Sequence, residues 1–335
     1  MQHVVFVYNT FWTLTLIQSS QPVCDNGPHK DLIAVGQQDF EMELFMEKRS
    51  LGKTGETLSV IGFGALVFVN EGPKFARETV ARAIDAGVNY FDMGPRYGMG
   101  VAEERGGPAI KPYRDKIFLA EKTAERTKDK AAVELRQSLK RMRTDHFDLY
   151  QFHHVSTVDE VKTIVGPGGA LEAFVEARDE GLVRFLGFSA HTEEAAIALM
   201  DQYNFDSVLF PVNSIVWYQG HFGPDVLSRA IDKKMGILAL KALAKKPWPD
   251  GKRERWTKAW YSPVDTYEEV RMALRWTLSR PVTACVSPSH VELLWWMIEA
   301  ERNLDPLSIE EEDAIAESTD GIIPIFRALT SHDDD

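Results

Sequence analysis

The sequence has few cysteines and an excess of negative charge. Its 335 residues include two cysteines, Cys24 and Cys285, which lie far apart and without metal-ligand spacing. This usage suits the reducing cytoplasm, and we expect no metal site. The formal net charge of -12 argues against nucleic acid or an anionic membrane as the main partner.

The sequence also lacks a long apolar run. Residues 4–17 are apolar and aromatic, but this stretch is shorter than the roughly 20 residues that a membrane-spanning helix needs. No lysine or arginine precedes it and no small-residue cleavage site clearly follows, so a signal peptide is an open alternative with little support. The chain as a whole is 44% hydrophobic, which allows a large buried core.

A dinucleotide-binding fingerprint is absent as well. An open doubly wound sheet would usually carry Gly-x-Gly-x-x-Gly after its first strand, with an acidic residue about 20 residues later. Gly62 and Gly64 supply two of the glycines, but Val67 occupies the third position. The sequence has no low-complexity segment and no Pro/Gly-rich linker that would separate two domains. These absences argue against the open sheet.

From Leu58 onward, short apolar segments alternate with amphipathic helical stretches. This order is typical of βαβ units with a parallel sheet. The eight candidate strands cover residues 59–65, 88–92, 117–121, 147–152, 184–188, 207–212, 236–241 and 282–286. The amphipathic segments include residues 74–86, 129–142, 169–180, 193–202, 223–234 and 266–278. Eight such repeats predict an α/β protein of the (β/α)₈ TIM barrel type, whose active site lies at the C-terminal ends of the strands.

Four chemically competent side chains stand at the ends of three successive candidate strands. Asp92 closes the second strand, and a Gly-Pro break carries Tyr97 into the loop behind it. Lys122 and His153 follow at the ends of the third and fourth strands. Each residue alone could be a core ion pair, a loop anchor or a strand-end histidine. Because all four residues lie at or just after the ends of consecutive strands, a catalytic group is the favoured interpretation.

These side chains are suited to proton transfer. A lysine ammonium beside a phenol favours the phenolate and lowers its pKa, so we expect Lys122 to let Tyr97 exchange a proton near neutrality. Asp92 beside that lysine would hold it in place. His154 competes with His153, because neighbouring residues on a strand point to opposite faces and only one can face the barrel mouth.

The chain resembles the aldo-keto reductase family from about Lys53 to about Arg302. The motifs that carry the resemblance are Arg49-Ser50-Leu51-Gly52-Lys53-Thr54-Gly55, the Asp92 and Tyr97 stretch, Lys122-Thr123, Asp148-Leu149-Tyr150 with His153, and Gly187-Phe188-Ser189. The resemblance implies that Asp92, Tyr97, Lys122 and His153 form a catalytic tetrad. The family spacing Asp-Leu-Tyr-x-x-His selects His153, and we interpret His154 as structural.

The resemblance also divides the chain. Residues 52–55 form a turn between two short extended runs, and the resemblance implies that this N-terminal β-hairpin closes the bottom of the barrel. Met46 directly precedes the start of the family pattern. We therefore expect residues 46–330 to form the barrel and residues 1–45 to be a disordered extension or the product of a misassigned translation start.

The resemblance implies contacts to a nicotinamide cofactor. Ser189 lies where the family has a serine that contacts the nicotinamide carboxamide, although Ala190 replaces the asparagine that usually follows. Asn213, at the end of the sixth strand, is the other polar group at that level. Lys241 and Lys245 open a basic stretch that continues through Lys252, Arg253, Arg255 and Lys258. A diphosphate would explain this local positive charge, and an ordinary solvated loop would explain it equally well.

The final strand leads to the expected adenosine-phosphate site. The chain offers Ser287, Ser289 and His290 there, with Trp295 near the place where family members that use NADP have an arginine. NADPH is the cofactor that the resemblance implies, and NADH is the alternative.

The predicted reaction is the reduction of a small-molecule carbonyl substrate by hydride transfer from nicotinamide. Tyr97 would donate the proton, and His153 would polarise and orient the carbonyl. One alternative is a Schiff-base lyase or aldolase that uses Lys122. Another is a non-catalytic, cofactor-sensing subunit, against which the intact tetrad argues. We predict no nucleic-acid or membrane partner.

Overall fold

In the computed structural model, eight parallel strands close into a barrel in the order β12-β3-β4-β5-β6-β7-β8-β9. The strands are β1 (Lys48–Ser50), β2 (Thr57–Ser59), β3 (Ile61–Gly64), β4 (Tyr90–Asp92), β5 (Phe118–Thr123), β6 (Phe147–Val155), β7 (Val183–Ala190), β8 (Ser207–Pro211), β9 (Gly236–Leu240), β10 (Ala244–Pro247), β11 (Tyr261–Pro263) and β12 (Ala284–Val286). Each of the eight predicted strands overlaps one barrel strand. The predicted (β/α)₈ fold is confirmed.

The structure describes residues 46–249, 253 and 255–328. The chain divides into two units, and the described residues belong to the one that spans Leu44–Asp335. The predictions about residues 1–45 and about Lys252 lie outside the described residues.

Helices connect the strands around the outside of the barrel. They are α1 (Pro73–Asp85), α2 (Val101–Ile110), α3 (Lys128–Met142), α4 (Val158–Val165), α5 (Ala170–Asp179), α6 (Glu193–Gln202), α7 (Ser214–Tyr218), α8 (Pro224–Asp232), α9 (Tyr267–Leu278), α10 (Val291–Glu301) and α11 (Ile309–Ser318). Three of them begin at a Ser/Thr-x-x-Glu capping box, with Thr157, Thr266 and Ser308 as the capping residues. In the described part of the chain, no helix is long and apolar enough to cross a bilayer.

The predicted N-terminal hairpin is present and lies against the floor of the barrel. β1 and β2 pair antiparallel. Leu51, which follows β1, and Leu58 of β2 are fully buried and pack with interior residues such as Tyr90 and Leu238. Gly52 has a positive φ and lies so close to the start of β9 that any side chain there would meet backbone. The floor is therefore filled, and the barrel mouth is the end at which a site can form.

A second hairpin stands where we expected a loop. β10 and β11 pair antiparallel, with a register irregularity between Ala244 and Lys246. β10 and β11 therefore lie side by side near the mouth, which Tyr261 of β11 helps to line.

Candidate active site

A cavity of about 330 Å³ opens at the C-terminal ends of the barrel strands. Its walls include all four members of the predicted tetrad, Asp92, Tyr97, Lys122 and His153. This is the end of a TIM barrel at which active sites are found.

Lys122 and Asp92 form a buried ion pair. The Lys122 ammonium lies 2.5 Å from Asp92 Oδ2 and donates a second hydrogen bond, of 2.7 Å, to the Met93 carbonyl oxygen. The remaining oxygen, Oδ1, accepts from Tyr90 at 3.2 Å and from Gln151 at 3.4 Å. Both carboxylate oxygens are thus satisfied, as a buried charge requires.

Tyr97 reaches the same carboxylate from the loop. Its hydroxyl lies 3.5 Å from Asp92 Oδ2, and the Lys122 ammonium lies 5.2 Å from the centre of its ring. The imidazole of His153 stands edge-on to that ring, with 5.5 Å between centroids. The four side chains are therefore neighbours, as the sequence predicted.

The expected lowering of the Tyr97 pKa is wrong for this arrangement. Burial raises the pKa of Tyr97 well above its usual value, and the carboxylates of Asp92 and Glu121 raise it further. The reason is geometric, since the Lys122 ammonium is directed to Asp92 and Met93. Tyr97 therefore holds its proton at neutral pH, which is the form that a proton donor requires.

His153 is held as a neutral imidazole. Burial lowers the pKa of His153 well below its usual value, and the charge of Lys122 adds to the effect. Its buried Nδ1 has no hydrogen-bond partner within the described residues. A neutral imidazole carries one N–H donor that can orient a carbonyl oxygen.

His154 also lines the cavity, which corrects our expectation that it faces the other way. β6 bulges between Phe152 and Val155, and His154 adopts a left-handed φ of 57°. The alternation of side chains stops at such a bulge. Arg126 holds the bulge in place, because it donates to the carbonyl oxygens of His153 and His154 at 2.8 and 3.3 Å.

The two predicted carboxamide contacts differ in their placement. Ser189 lines the cavity, where its hydroxyl accepts the His154 N–H at 3.0 Å. Asn213 caps α7: its Oδ1 accepts from the Val216 N–H at 2.9 Å, and its Nδ2 donates to the Lys241 carbonyl at 3.0 Å. Because both ends of its amide are engaged, the structure gives no support to the cofactor contact predicted for Asn213.

The two predicted lysines point to different places. Lys241 lines the cavity, with Nζ 3.2 Å from His191 Nε2. Lys245 instead forms an ion pair of 2.6 Å with Glu269, whose carboxylate also completes the capping box of α9. The structure therefore does not bring Lys245 to the cavity, and the phosphate contact predicted for it is not supported.

The end of β12 contributes two serines to the cavity. Ser287 accepts the Gly64 N–H at 2.9 Å and so links β12 to β3. Ser289 lies 3.2 Å from His290 Nδ1 at the start of α10. Both serines line the cavity as predicted.

Sequence reasoning did not single out His191 as a residue of the cavity wall. His191 follows Ser189 by two positions, and that spacing could have placed both on one face at the end of β7. Lys258 belongs to the basic stretch for which a diphosphate and a solvated loop were equal explanations, but its ammonium donates to the Val67 and Val69 carbonyls, each at 3.2 Å. It therefore links the segment before β11 to the segment that follows β3. No local pattern in the sequence predicts that contact.

The donors in this cavity suit a nicotinamide dinucleotide. Hydroxyl groups from Ser189, Ser287 and Ser289 stand at the mouth. The N-terminus of α10, which directly follows His290, adds the backbone donors that favour phosphate groups.

Comparisons with known proteins agree on one family. The model of the aldo/keto reductase family matches residues 60–235. The chain is 34% identical over 157 residues to the uncharacterized oxidoreductase YqkF of Bacillus subtilis, a match that covers 43% of this chain and 49% of that protein. It is also 34% identical over 161 residues to the aldo-keto reductase YhdN of Bacillus subtilis, which covers 43% of this chain and 47% of that protein. The matched region thus spans about half the length of these curated relatives.

One solved structure shares the fold of this chain over nearly the whole length of the solved protein. The holo form of aldo-keto reductase AKR11C1 from Bacillus halodurans superposes with a TM-score of 0.67 at 23% identity. The match covers 84% of this chain and 98% of that one.

Proposed function

This chain belongs to the aldo/keto reductase family, and we propose that it reduces a small carbonyl compound to the alcohol with NADPH. The observation that carries the proposal is the meeting of four side chains in one cavity. Lys122 lies 2.5 Å from Asp92, Tyr97 reaches the same carboxylate, and His153 stands against the ring of Tyr97.

We propose that Tyr97 donates the proton. Its raised pKa keeps the hydroxyl protonated until negative charge develops on a carbonyl oxygen beside it. The Lys122 ammonium, 5.2 Å from the ring centre and fixed by Asp92, then stabilises the phenolate that forms. Solvent at the mouth returns the proton to Tyr97.

We assign the orientation of the carbonyl to His153. As a neutral imidazole it can donate one hydrogen bond to the carbonyl oxygen without competing for the proton that Tyr97 delivers. When bound, the reduced nicotinamide supplies the hydride that is added to the carbonyl carbon. The products are an alcohol and the oxidised cofactor.

We propose that Ser189, Ser287 and Ser289 hold the cofactor. NADPH is preferred here over NADH because the backbone donors at the start of α10, next to Ser289, favour an additional phosphate group. The enzyme's proposed location is the cytoplasm, since Cys285, the cysteine in the described part of the chain, is buried and unpaired.

The geometry of Lys122 argues against a Schiff-base lyase. Such an enzyme needs a neutral amine that is free to attack a carbonyl. Lys122 is fully buried and its ammonium is held by Asp92 and the Met93 carbonyl. Treatment with borohydride and a carbonyl compound should therefore leave Lys122 unmodified.

A screen of NADPH and NADH oxidation against aldehydes and ketones tests the proposal. Turnover of the reduced cofactor that depends on the carbonyl compound is the expected result, with a higher kcat/KM for NADPH. If either cofactor binds tightly but no compound in a broad panel is reduced, the sensor alternative replaces the reductase.

A further inference from the structure

We propose that Arg126 is a positioning residue for the reduction and that it acts through His153. The inference rests on the proposed function, because it concerns how His153 is held for the step assigned to it. Arg126 lies in the segment between β5 and α3, and its guanidinium reaches the end of β6. Arg126 is not part of the cavity wall described above, so it acts without touching the substrate.

The imidazole of His153 has no hydrogen bond at Nδ1 that would orient it. The orientation of a functional histidine ring is usually set by a hydrogen bond to its second nitrogen. The buried Nδ1 of His153 has no such partner within the described residues. The ring meets that of Tyr97 edge-on, with 5.5 Å between centroids, a contact that tolerates small rotations. The position of the imidazole therefore depends on the backbone that carries it.

That backbone is the bulged end of β6, which is held from both neighbouring strands. On the β5 side, Arg126 Nη2 donates to the carbonyl oxygens of His153 and His154 at 2.8 and 3.3 Å. On the β7 side, Ser189 Oγ accepts the His154 N–H at 3.0 Å. One nitrogen reaches two consecutive carbonyls because the left-handed φ of 57° at His154 interrupts the regular strand. The guanidinium therefore fits the bulge and would not fit a straight strand in the same way.

The guanidinium is fixed in turn by a carboxylate. Arg126 Nε donates to Glu160 Oε1 at 3.1 Å, and the pair is largely buried. Glu160 Oε2 accepts the Ser156 and Thr157 N–H groups at 2.9 and 3.2 Å, where α4 begins. The Arg126 carbonyl oxygen accepts the Ala170 N–H at 3.0 Å, where α5 begins. Backbone and side chain of the arginine are thus both anchored, so the donor that faces β6 has a defined position.

A purely structural role for Arg126 is the alternative. The left-handed conformation of His154 is uncommon outside glycine and costs free energy, which the two hydrogen bonds from Arg126 would offset. The shorter of these bonds, however, is made to His153 itself. Burial lowers the pKa of His153, and the positive charge of Arg126 is among those that lower it further. Arg126 is therefore close enough to affect both the position and the protonation of the imidazole.

A double-mutant cycle tests the positioning role. Arg126→Met should lower kcat for a carbonyl compound by about 10–100-fold, because a small misplacement of an orienting group can reduce the rate by about that factor. The dissociation constant for NADPH should not change. In the His153→Asn background, the same substitution should lower kcat by less than about twofold, since Arg126 acts through His153. Arg126→Lys keeps the charge and an N–H donor and should recover part of kcat.

Arg136 provides a matched control. It also pairs with a carboxylate, that of Glu180, at 2.9 Å, and donates to a backbone carbonyl, that of Ala132, at 3.4 Å, but at an exposed position of α3. Arg136→Met should leave kcat unchanged in both backgrounds. If Arg126→Met does not fold, the cycle is carried out with Arg126→Lys, for which a smaller loss of kcat should again depend on His153.

Three results would overturn the proposal. An equal fall of kcat in both backgrounds would show that Arg126 acts independently of His153. An unchanged kcat with a lower melting temperature would leave Arg126 as a structural residue only. A raised dissociation constant for NADPH with an unchanged kcat would assign Arg126 to cofactor binding.

An NMR measurement separates this inference from the proposed function. In protein whose histidines carry ¹³C at Cε1, the signal of His153 is the one that His153→Asn removes. Arg126→Met should shift that signal, and Arg136→Met should leave it in place. If the wild type reduces no carbonyl compound, the shift still tests whether Arg126 holds the imidazole. An unchanged His153 signal in Arg126→Met would contradict the inference.

Discussion

Tyr97 is the side chain on which the proposed chemistry depends most directly. Tyr97→Phe removes the acidic proton with little change in shape, so we expect kcat to fall by about 10²–10⁴, the usual range for a lost general acid. The dissociation constant for NADPH should stay close to that of the wild type. Stopped-flow turnover and fluorescence titration measure the two quantities.

Tyr113 offers a matched control for that variant. It lies half-buried against the core, away from the cavity, and Tyr113→Phe should retain normal turnover. If Tyr97→Phe keeps most of its activity, the proton comes from His153 or from water instead.

Lys245 is the residue whose predicted role, a phosphate contact, differs most from its contact in the structure. Its ion pair with Glu269 is partly exposed, so Lys245→Ala should lower the free energy of unfolding by at most about 1 kcal/mol. NADPH binding should not change. Thermal unfolding and cofactor titration distinguish this outcome from the phosphate contact predicted from the sequence, which would weaken binding by roughly 1.5–3 kcal/mol. Lys246→Ala, at the exposed neighbour, should change neither quantity.

At the scale of single elements, β5 carries two buried charged groups on neighbouring residues. Lys122 is paired, but the adjacent Glu121 has one oxygen that accepts the Lys122 N–H at 2.9 Å and another without a partner in the described structure. Burial raises the pKa of Glu121 well above its usual value, and the nearby carboxylate of Glu103 raises it further.

Glu121→Gln should therefore stabilise the protein in a pH-dependent way. The folded wild type binds more protons than the unfolded chain above the ordinary glutamate pKa of about 4.3, so its stability falls as pH rises through that window. Glutamine keeps the acceptor oxygen and carries no charge. We expect the melting temperature of the variant to exceed that of the wild type by more at about pH 8 than at about pH 5.

Exposed Glu104 provides the control for this comparison. Glu104→Gln should change the melting temperature little, as substitutions at exposed positions usually do. A melting temperature for Glu121→Gln below that of the wild type at alkaline pH would contradict this prediction. It would show that the folded protein stabilises the charged carboxylate of Glu121.

β6 shows where reasoning from sequence reaches its limit. The rule of alternating side chains assigned one histidine to the mouth, but the bulge brings both His153 and His154 to the cavity. A bulge depends on partners far away in the chain, here the guanidinium of Arg126. The two adjacent histidines gave no local sign of it.

For the whole molecule, the barrel and the proximity of Asp92, Tyr97, Lys122 and His153 could be predicted because their signals are local. Each strand is a short apolar run, and the closed barrel brings the C-terminal ends of all eight strands to one rim. The side chains at those ends must therefore share a site. The cofactor contacts were harder to predict, because Lys245 and Asn213 owe their roles to partners in other elements, Glu269 and α7.

The last described residues build part of the cavity's surroundings from outside the barrel. Phe326 packs on His191, Trp260 and Phe222, and the Ala328 N–H donates to the Gly220 carbonyl at 2.9 Å. Within the described residues, Phe326 and its chain neighbours form no strand pairing with the barrel. During evolution this wall could therefore change without disturbing the fold or the tetrad, so that new substrates become accessible through variation in one terminal segment.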